Sequence, residues 1–140
     1  MNVTTYLMFD NSQCEEAFRF YERCLGGKLE MLVRYGDMPE CAGMDEATRK
    51  KIAHVRLVTD GSMLMGSDAG DPSQTWEGHK GFFVCINTHD PDQAEKVFNA
   101  LSEQARNIMM PLAKTSWSEK YGQLMDRYGV EWMVNCEMRA

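Results

Sequence analysis

Two segments of this chain share one apolar spacing. Ala17, Phe20, Tyr21 and Cys24 fall at i, i+3, i+4 and i+7, and Ala94, Val97, Phe98 and Leu101 repeat the pattern further along the chain, position for position. That spacing places each set on one face of an amphipathic helix, and a gap-free internal offset points to a repeated supersecondary unit. The start signals agree. Ser12-Gln13-Cys14-Glu15 fits a capping box, while Asp90-Pro91-Asp92-Gln93 offers an N-cap, a proline at the first helical position and a glutamine able to reach back. Gly26-Gly27 stops the first helix.

The offset that takes Ala17 to Ala94 also lays Thr5-Tyr6-Leu7-Met8-Phe9 on Phe82-Phe83-Val84-Cys85-Ile86, two runs of β-type composition. Each half closes with a hairpin: residues 53–58 and 62–67 flank Thr59-Asp60-Gly61, and residues 122–126 and 130–136 flank Arg127-Tyr128-Gly129. Here the halves align Gly61 on Gly129, a shorter offset than that of the helices. Residues 28–35 predict one more strand in the first half, and residues 107–112, interrupted by Pro111, a weaker counterpart. The expected architecture is α+β: a single domain of paired β-α-β-β-β modules, residues 1–68 and 81–140, joined by a polar linker at 69–80. Each helix would cover one face of a mixed sheet, and the opposite faces would enclose a cleft.

Composition narrows the function. A net charge of −6 and a sequence pI near 5.0 disfavour general binding to nucleic acid or an anionic membrane surface, both of which need a basic face. Met1 to Thr5 has no charged start leading into an apolar run, and nowhere is there the stretch of roughly 18 apolar residues that a membrane span needs. A soluble cytoplasmic protein is expected. The 5 cysteines form no C-x-x-C pair, so buried, reduced thiols are expected rather than disulfides or a zinc knuckle. Cys14, in the first turn of a helix, is the most reactive candidate among them.

Strand alternation sorts side chains by face. Ala53, Val55 and Leu57 should pack on the helices, sending His54, Arg56 and Val58 toward the cleft. Carried over by the alignment of the two hairpins, Gly122, Leu124 and Asp126 point the same way. Met63, Met65 and Ser67 face it in the first closing strand, as do Glu131, Met133 and Asn135 in the second. Thr4, Tyr6 and Met8 join from one opening strand, and Phe83 and Cys85 from the other. The lining is thus thioether and aromatic with a few polar groups. Within it, His54 is a candidate general acid or base with Asp126 as an orienting partner, and Arg56 suits an anionic group. A strand histidine making one satisfied hydrogen bond is the plainer account of His54. Trp117, on an irregular stretch, is a candidate pocket wall. The loop at 36–51 is expected to hold a short exposed helix and to act as a lid or subunit contact.

A resemblance covers nearly the whole chain. It is carried by Thr5-Tyr6-Leu7, residues 14–21 (CEEAFRFY), Gly36-Asp37-Met38-Pro39, Ile52-Ala53-His54, Leu64-Met65-Gly66-Ser67-Asp68, Met110-Pro111-Leu112, Ser116-Trp117, Tyr121-Gly122, Asp126-Arg127-Tyr128-Gly129 and residues 132–137 (WMVNCE). In their order these motifs resemble the PhnB-like branch of the vicinal oxygen chelate superfamily, which includes glyoxalase I, extradiol dioxygenases, and fosfomycin and bleomycin resistance proteins. The resemblance implies a homodimer with a cavity for a small organic molecule. In the superfamily's metal enzymes each module gives one ligand from its first strand and one from its last. Those places fall near Thr4 or Tyr6, Met65 or Ser67, Phe83, and Met133 or Asn135, none of which offers imidazole or carboxylate. No metal is expected there, and no other cofactor. Relatives have been labelled demethylubiquinone methyltransferases, but there is no Gly-rich strand-to-helix turn to hold S-adenosylmethionine. Three readings stay open: binding or non-metal transformation of a small molecule at Tyr6, His54, Arg56, Met65, Ser67, Phe83, Trp117, Asp126, Met133 and Asn135; drug sequestration; and a metal-dependent lyase, isomerase or dioxygenase.

Overall fold

The computed structural model describes residues 1–69 and 75–138, so part of the expected linker, at 70–74, lies outside the described residues. Two units are found, Met1–Glu77 and Gly78–Ala140. The first runs β1 (Thr5–Phe9), α1 (Cys14–Leu25), β2 (Lys28–Arg34), two 3-10 turns (Tyr35–Asp37 and Pro39–Cys41), α2 (Glu46–Arg49), β3 (Ile52–Thr59) and β4 (Ser62–Asp68). Its four-stranded sheet has the order β1-β4-β3-β2, with β1 parallel to β4 and the other pairs antiparallel.

The second unit repeats this as β5 (Val84–Thr88), α3 (Pro91–Ser102), β6 (Asn107–Ala113), β7 (Ser118–Met125) and β8 (Glu131–Glu137), in the order β5-β8-β7-β6. The α+β class and the β-α-β-β-β plan are therefore as the sequence predicts. No helix among the described residues is long and apolar enough to cross a membrane.

Both helices bury the predicted faces. In α1, Ala17, Phe20, Tyr21 and Cys24 are buried with Phe18 beside them, and in α3, Ala94, Val97, Phe98 and Leu101. Glycine makes the docking close. A Cβ on Gly66 would sit 2.7 Å from the Phe18 ring and 2.5 Å from the Leu7 carbonyl oxygen, and one on Gly122 would lie 2.6 Å from the Phe98 ring.

Three expectations are corrected. The α1 capping box does not form: Gln13 makes no side-chain cap bond, and the Cys14 N–H instead donates to Asp68 Oδ1 at 2.9 Å. Asp68 Oδ2 accepts from the Ile52 N–H at 2.8 Å, so one buried carboxylate on β4 ties a helix start to the start of β3. A cap from a distant strand leaves no trace at local spacing. Next, the opening strands do not share the offset of the helices. Thr5 pairs with Leu64 as Val84 pairs with Trp132, so Thr5 corresponds to Val84 rather than to Phe82. Phe83 consequently precedes β5, and Cys85 takes the place equivalent to Tyr6.

The third correction concerns β7. Leu57 pairs with Leu64 and Leu124 with Trp132, so Leu57 corresponds to Leu124, where the aligned hairpin tips would put it on Met125. The second turn has one more residue, and a one-residue slip exchanges the faces of a strand. Gly122 and Leu124 accordingly face α3, and Tyr121, Gln123 and Met125 take the open face. Asp126 lies in the turn, fully buried.

Candidate functional site

Each sheet has one face covered by its own helix and one that its unit leaves open. On the first, the register sets Tyr6 (β1), Met65 (β4), Arg56 (β3) and Met31 (β2) side by side across all four strands. Beside them run Met8 paired with Ser67, and His54 paired with Val33. Tyr6, His54, Arg56, Met65 and Ser67 are thus brought to one face. On the second sheet the equivalent row is Cys85, Met133, Gln123 and Met110, followed by Asn87, Asn135, Tyr121 and Ala113.

Polar groups on the first face are sparsely used. The Tyr6 hydroxyl lies 3.1 Å from His54 Nδ1, with the two rings stacked at 5.7 Å. Ser67 Oγ donates to the Met8 sulfur at 3.2 Å. Arg56 Nη2 reaches Glu30 Oε1 at only 3.4 Å, while its Nε is buried and makes no hydrogen bond among the described residues. At the hairpin end of the face a cavity of about 380 Å³ opens beside Val58 and Met63, walled also by Asn2, Val3, Thr4 and Ser62.

The middle of the second face is uncharged, with Glu131 and Glu137 at the two ends of β8 on the same side. Gln123 Nε2 donates to the Tyr121 hydroxyl at 2.8 Å, and Asn135 Nδ2 to Asn87 Oδ1 at 3.2 Å. Asn135 Oδ1 is buried and makes no hydrogen bond among the described residues. Trp117 packs edge-on against Tyr121 at 5.5 Å and is 60% exposed. Phe83 stands half-exposed just before β5.

Asp126 is not on this face. Its Oδ1 accepts from the Tyr128 and Val130 N–H groups at 2.8 and 3.0 Å, and its Oδ2 from Trp132 Nε1 at 2.8 Å. These bonds commit the carboxylate to the turn, and the expected roles as ligand contact and His54 partner are withdrawn. Cys14 is also corrected: burial above all, then the Asp68 and Glu15 charges, pushes its thiol far up, so a helix start here protects a neutral thiol. Cys85, the exposed cysteine, is likewise pushed up by burial, partly offset by a hydrogen bond to Asn87.

Tyr121, Gln123, Met31 and Asn87 also stand on the open faces, where sequence reasoning did not place them. Counting the residues of the two hairpin turns would have exposed the β7 slip. Met31 follows a bulge in β2, after which simple alternation fails.

Two groups implied by relatives can be tested against these residues. Of the places where the resemblance puts metal ligands, Tyr6, Met65 and Ser67 stand on the open face of one unit and Met133 and Asn135 on that of the other, where Cys85 rather than Phe83 is the counterpart of Tyr6. Phenol, hydroxyl, amide, thioether and a protonated thiol, without imidazole or carboxylate, do not suit a hard divalent cation, and the described residues hold no cluster of three or more His, Cys, Asp or Glu placed to bind a metal. S-adenosylmethionine fits no better at the strand-to-helix turns. These consist of residues 10–13 and of His89-Asp90, with no glycine and with an aspartate in each.

The strand order and pairing of the two units give the chain a glyoxalase-like fold, shared with a glyoxylase/bleomycin resistance protein/dioxygenase domain from Frankia at 11% identity and a TM-score of 0.61, over 98% of this chain and 95% of that one. The fosfomycin resistance protein FosX of Listeria monocytogenes shares this fold at 4% identity, with a TM-score of 0.66 over 99% of this chain and 94% of that one. Within that fold, a family model described as 3-demethylubiquinone-9 3-methyltransferase matches residues 1–135, and the chain belongs to this family. Protein PA1353 of Pseudomonas aeruginosa is 40% identical, with a TM-score of 0.88 over 99% of both chains. Protein YjdN of Escherichia coli is 28% identical, covering 96% of this chain and 95% of its own length. A Bacillus cereus PhnB protein described as a putative 3-demethylubiquinone-9 3-methyltransferase matches at 24% identity and a TM-score of 0.76, over 96% of this chain and 98% of that one.

Proposed function

We propose that this chain binds a small, partly apolar organic molecule on the open faces of its sheets, without a metal at the superfamily's usual places and without S-adenosylmethionine. The observation that carries this reading is the row Tyr6, Met65, Arg56, Met31, which presents two flexible thioethers and a ring beside one charged group on a face its own helix does not cover. Thioethers adapt to irregular apolar surfaces, and small-molecule sites are mostly apolar with a few placed polar groups. The proposed lining is Tyr6, His54, Arg56, Met65 and Ser67 with Phe83, Trp117, Met133 and Asn135, now joined by Tyr121 and Gln123. Asp126 leaves the set.

If the bound molecule is transformed, His54 is the acid–base group, supported by its hydrogen bond to Tyr6. Without such a step the protein sequesters its ligand, as resistance proteins of this fold do by resemblance. The donor chemistry at the ligand places weighs against a metal-dependent enzyme. Assembly as a homodimer in the cytoplasm completes the proposal, with the acidic composition and the resemblance as its support.

Fluorescence titration with the neutral apolar dye N-phenyl-1-naphthylamine tests the binding step. Saturable binding that Met65→Lys weakens at least tenfold is expected, and no saturable binding would overturn the reading. Metal analysis of tag-free protein tests the rest: near-stoichiometric Zn, Ni, Mn or Fe would restore the metal enzyme. Once a ligand is known, His54→Ala that binds equally but turns over nothing marks an enzyme. Weaker binding with no turnover by either form marks a binder.

A further inference from the structure

The repeat gives an internal comparison. Register places Gln123 of the second sheet where the first has Arg56, and Tyr121 where the first has His54. Where the first face has Arg56, held only at 3.4 Å by Glu30, the second has an uncharged amide, and β8 turns two carboxylates, Glu131 and Glu137, to that side. We propose that the first face selects an organic anion, its carboxylate, sulfonate or phosphonate held by Arg56 and the Tyr6–His54 pair and its apolar body by Met65 and Met31. This rests on the reading that the face binds a small molecule at all.

Arg56 carries five N–H donors in a planar fork. Among the described residues, only the contact from Nη2 to Glu30 at 3.4 Å engages another charge, and Glu30 is nearly half exposed. The buried Nε–H makes no hydrogen bond among the described residues. Leaving such a donor unpaired costs free energy, and a small turn of the guanidinium toward a ligand oxygen removes that cost by a bidentate, charge-assisted contact. Glu30 then yields its weak contact to the incoming anion.

His54 lies two residues from Arg56 on the same strand and so on the same face. One hydrogen occupies the 3.1 Å gap between Tyr6 Oη and His54 Nδ1. If the phenol donates it, the neutral imidazole keeps its hydrogen on Nε2; if Nδ1 donates it, the phenol hydrogen is directed elsewhere. Either tautomer leaves a donor free for a second anion oxygen. Met65 and Met31 flank Arg56 in register and supply the apolar contact. On the second sheet the places of Arg56 and His54 hold Gln123 and Tyr121, bonded to each other and without a cation.

The test compares 8-anilinonaphthalene-1-sulfonate with N-phenyl-1-naphthylamine, which lacks the sulfonate. The sulfonate dye is expected to bind at least tenfold more tightly. Arg56→Met should erase that preference, the sulfonate dye losing at least tenfold relative to the neutral dye, and Lys96→Met, an equal charge change at an exposed position of α3, should leave the preference in place. Arg56→Lys, which keeps the charge and loses the fork, should retain part of it and covers the case in which Arg56→Met fails to fold. Equal affinity for the two dyes, or equal losses in Arg56→Met and Lys96→Met, overturns the anion assignment alone. Binding of neither dye overturns the small-molecule reading and the anion with it.

Discussion

Asp126 illustrates how a carboxylate that looks available in sequence is spent on structure. It accepts from two backbone N–H groups and the Trp132 indole, so Asp126→Ala would strand three donors in a dry turn. Unsatisfied buried donors cost roughly 1–3 kcal/mol each, and partial relaxation should leave a loss of about 3 kcal/mol, measured by urea unfolding. Trp132→Phe frees only Oδ2 and should cost less. A variant Asp126→Ala as stable as the parent would mean that the turn holds itself. Cys14 makes a second case at this scale. Its folded thiol is pushed above the ordinary value of about 8.5, so the folded state holds the proton more tightly than the unfolded one. The stabilisation is whole below the unfolded pKa and declines as pH rises past it, by up to about 1.4 kcal/mol per pH unit. Between pH 7 and 10 the parent should lose stability more steeply than Cys14→Ala, and parallel curves would contradict the assignment. In the native state iodoacetamide should label exposed Cys85 first and leave Cys14 untouched.

At the scale of elements, most of the fold is legible because helix spacing, turn glycines and strand composition are local signals. What sequence spacing misses are two small length changes: two residues between opening strand and helix, and one in the second hairpin turn. The first preserves strand parity, so Tyr6 and Cys85 fall on the same kind of face, while Phe83, aligned on Tyr6 by the helices, comes before the strand. The second reverses parity, exchanging Gly122 and Leu124 for Tyr121 and Gln123 in the candidate site. The same glycines reveal how the helices dock. With the Leu7 carbonyl oxygen and the Phe18 ring both resting where a Gly66 Cβ would go, Gly66→Ala must shift α1 and strain the β1–β4 pairing, at about 2 kcal/mol by the usual cost of overpacking. Gly43, with nothing within 4 Å of its hypothetical Cβ, is the control: Gly43→Ala should be nearly neutral. Comparable effects at the two positions in thermal melts would remove steric docking as the explanation.

For the whole molecule, the question is whether two units that each bury their own core behave as one. Each sheet leaves large apolar side chains outside its unit's core, Tyr6, Met8 and Met31 on the first and Ile108 and Met110 on the second, all about 40% exposed. Patches of this kind ordinarily mark a surface that something covers. We therefore expect the chain to unfold as one cooperative domain and neither half to be well behaved alone. The tryptophans make this measurable. Trp117 and Trp132 lie in the second unit, and with Trp76 replaced (Trp76→Phe) fluorescence reports that unit alone while far-UV circular dichroism reports both. In urea the two signals should coincide, with an m-value set by the surface of all 140 residues. Fragments 1–77 and 78–140 made separately should show lower helix and strand content or aggregate. Two separated transitions, each with about half the m-value, would instead mean that the repeat is two autonomous domains. The open faces would then have to be stabilised by ligand or by a second copy of the chain. Sedimentation with and without dye, which tells the 16.0 kDa chain from a species of twice its mass, would decide which.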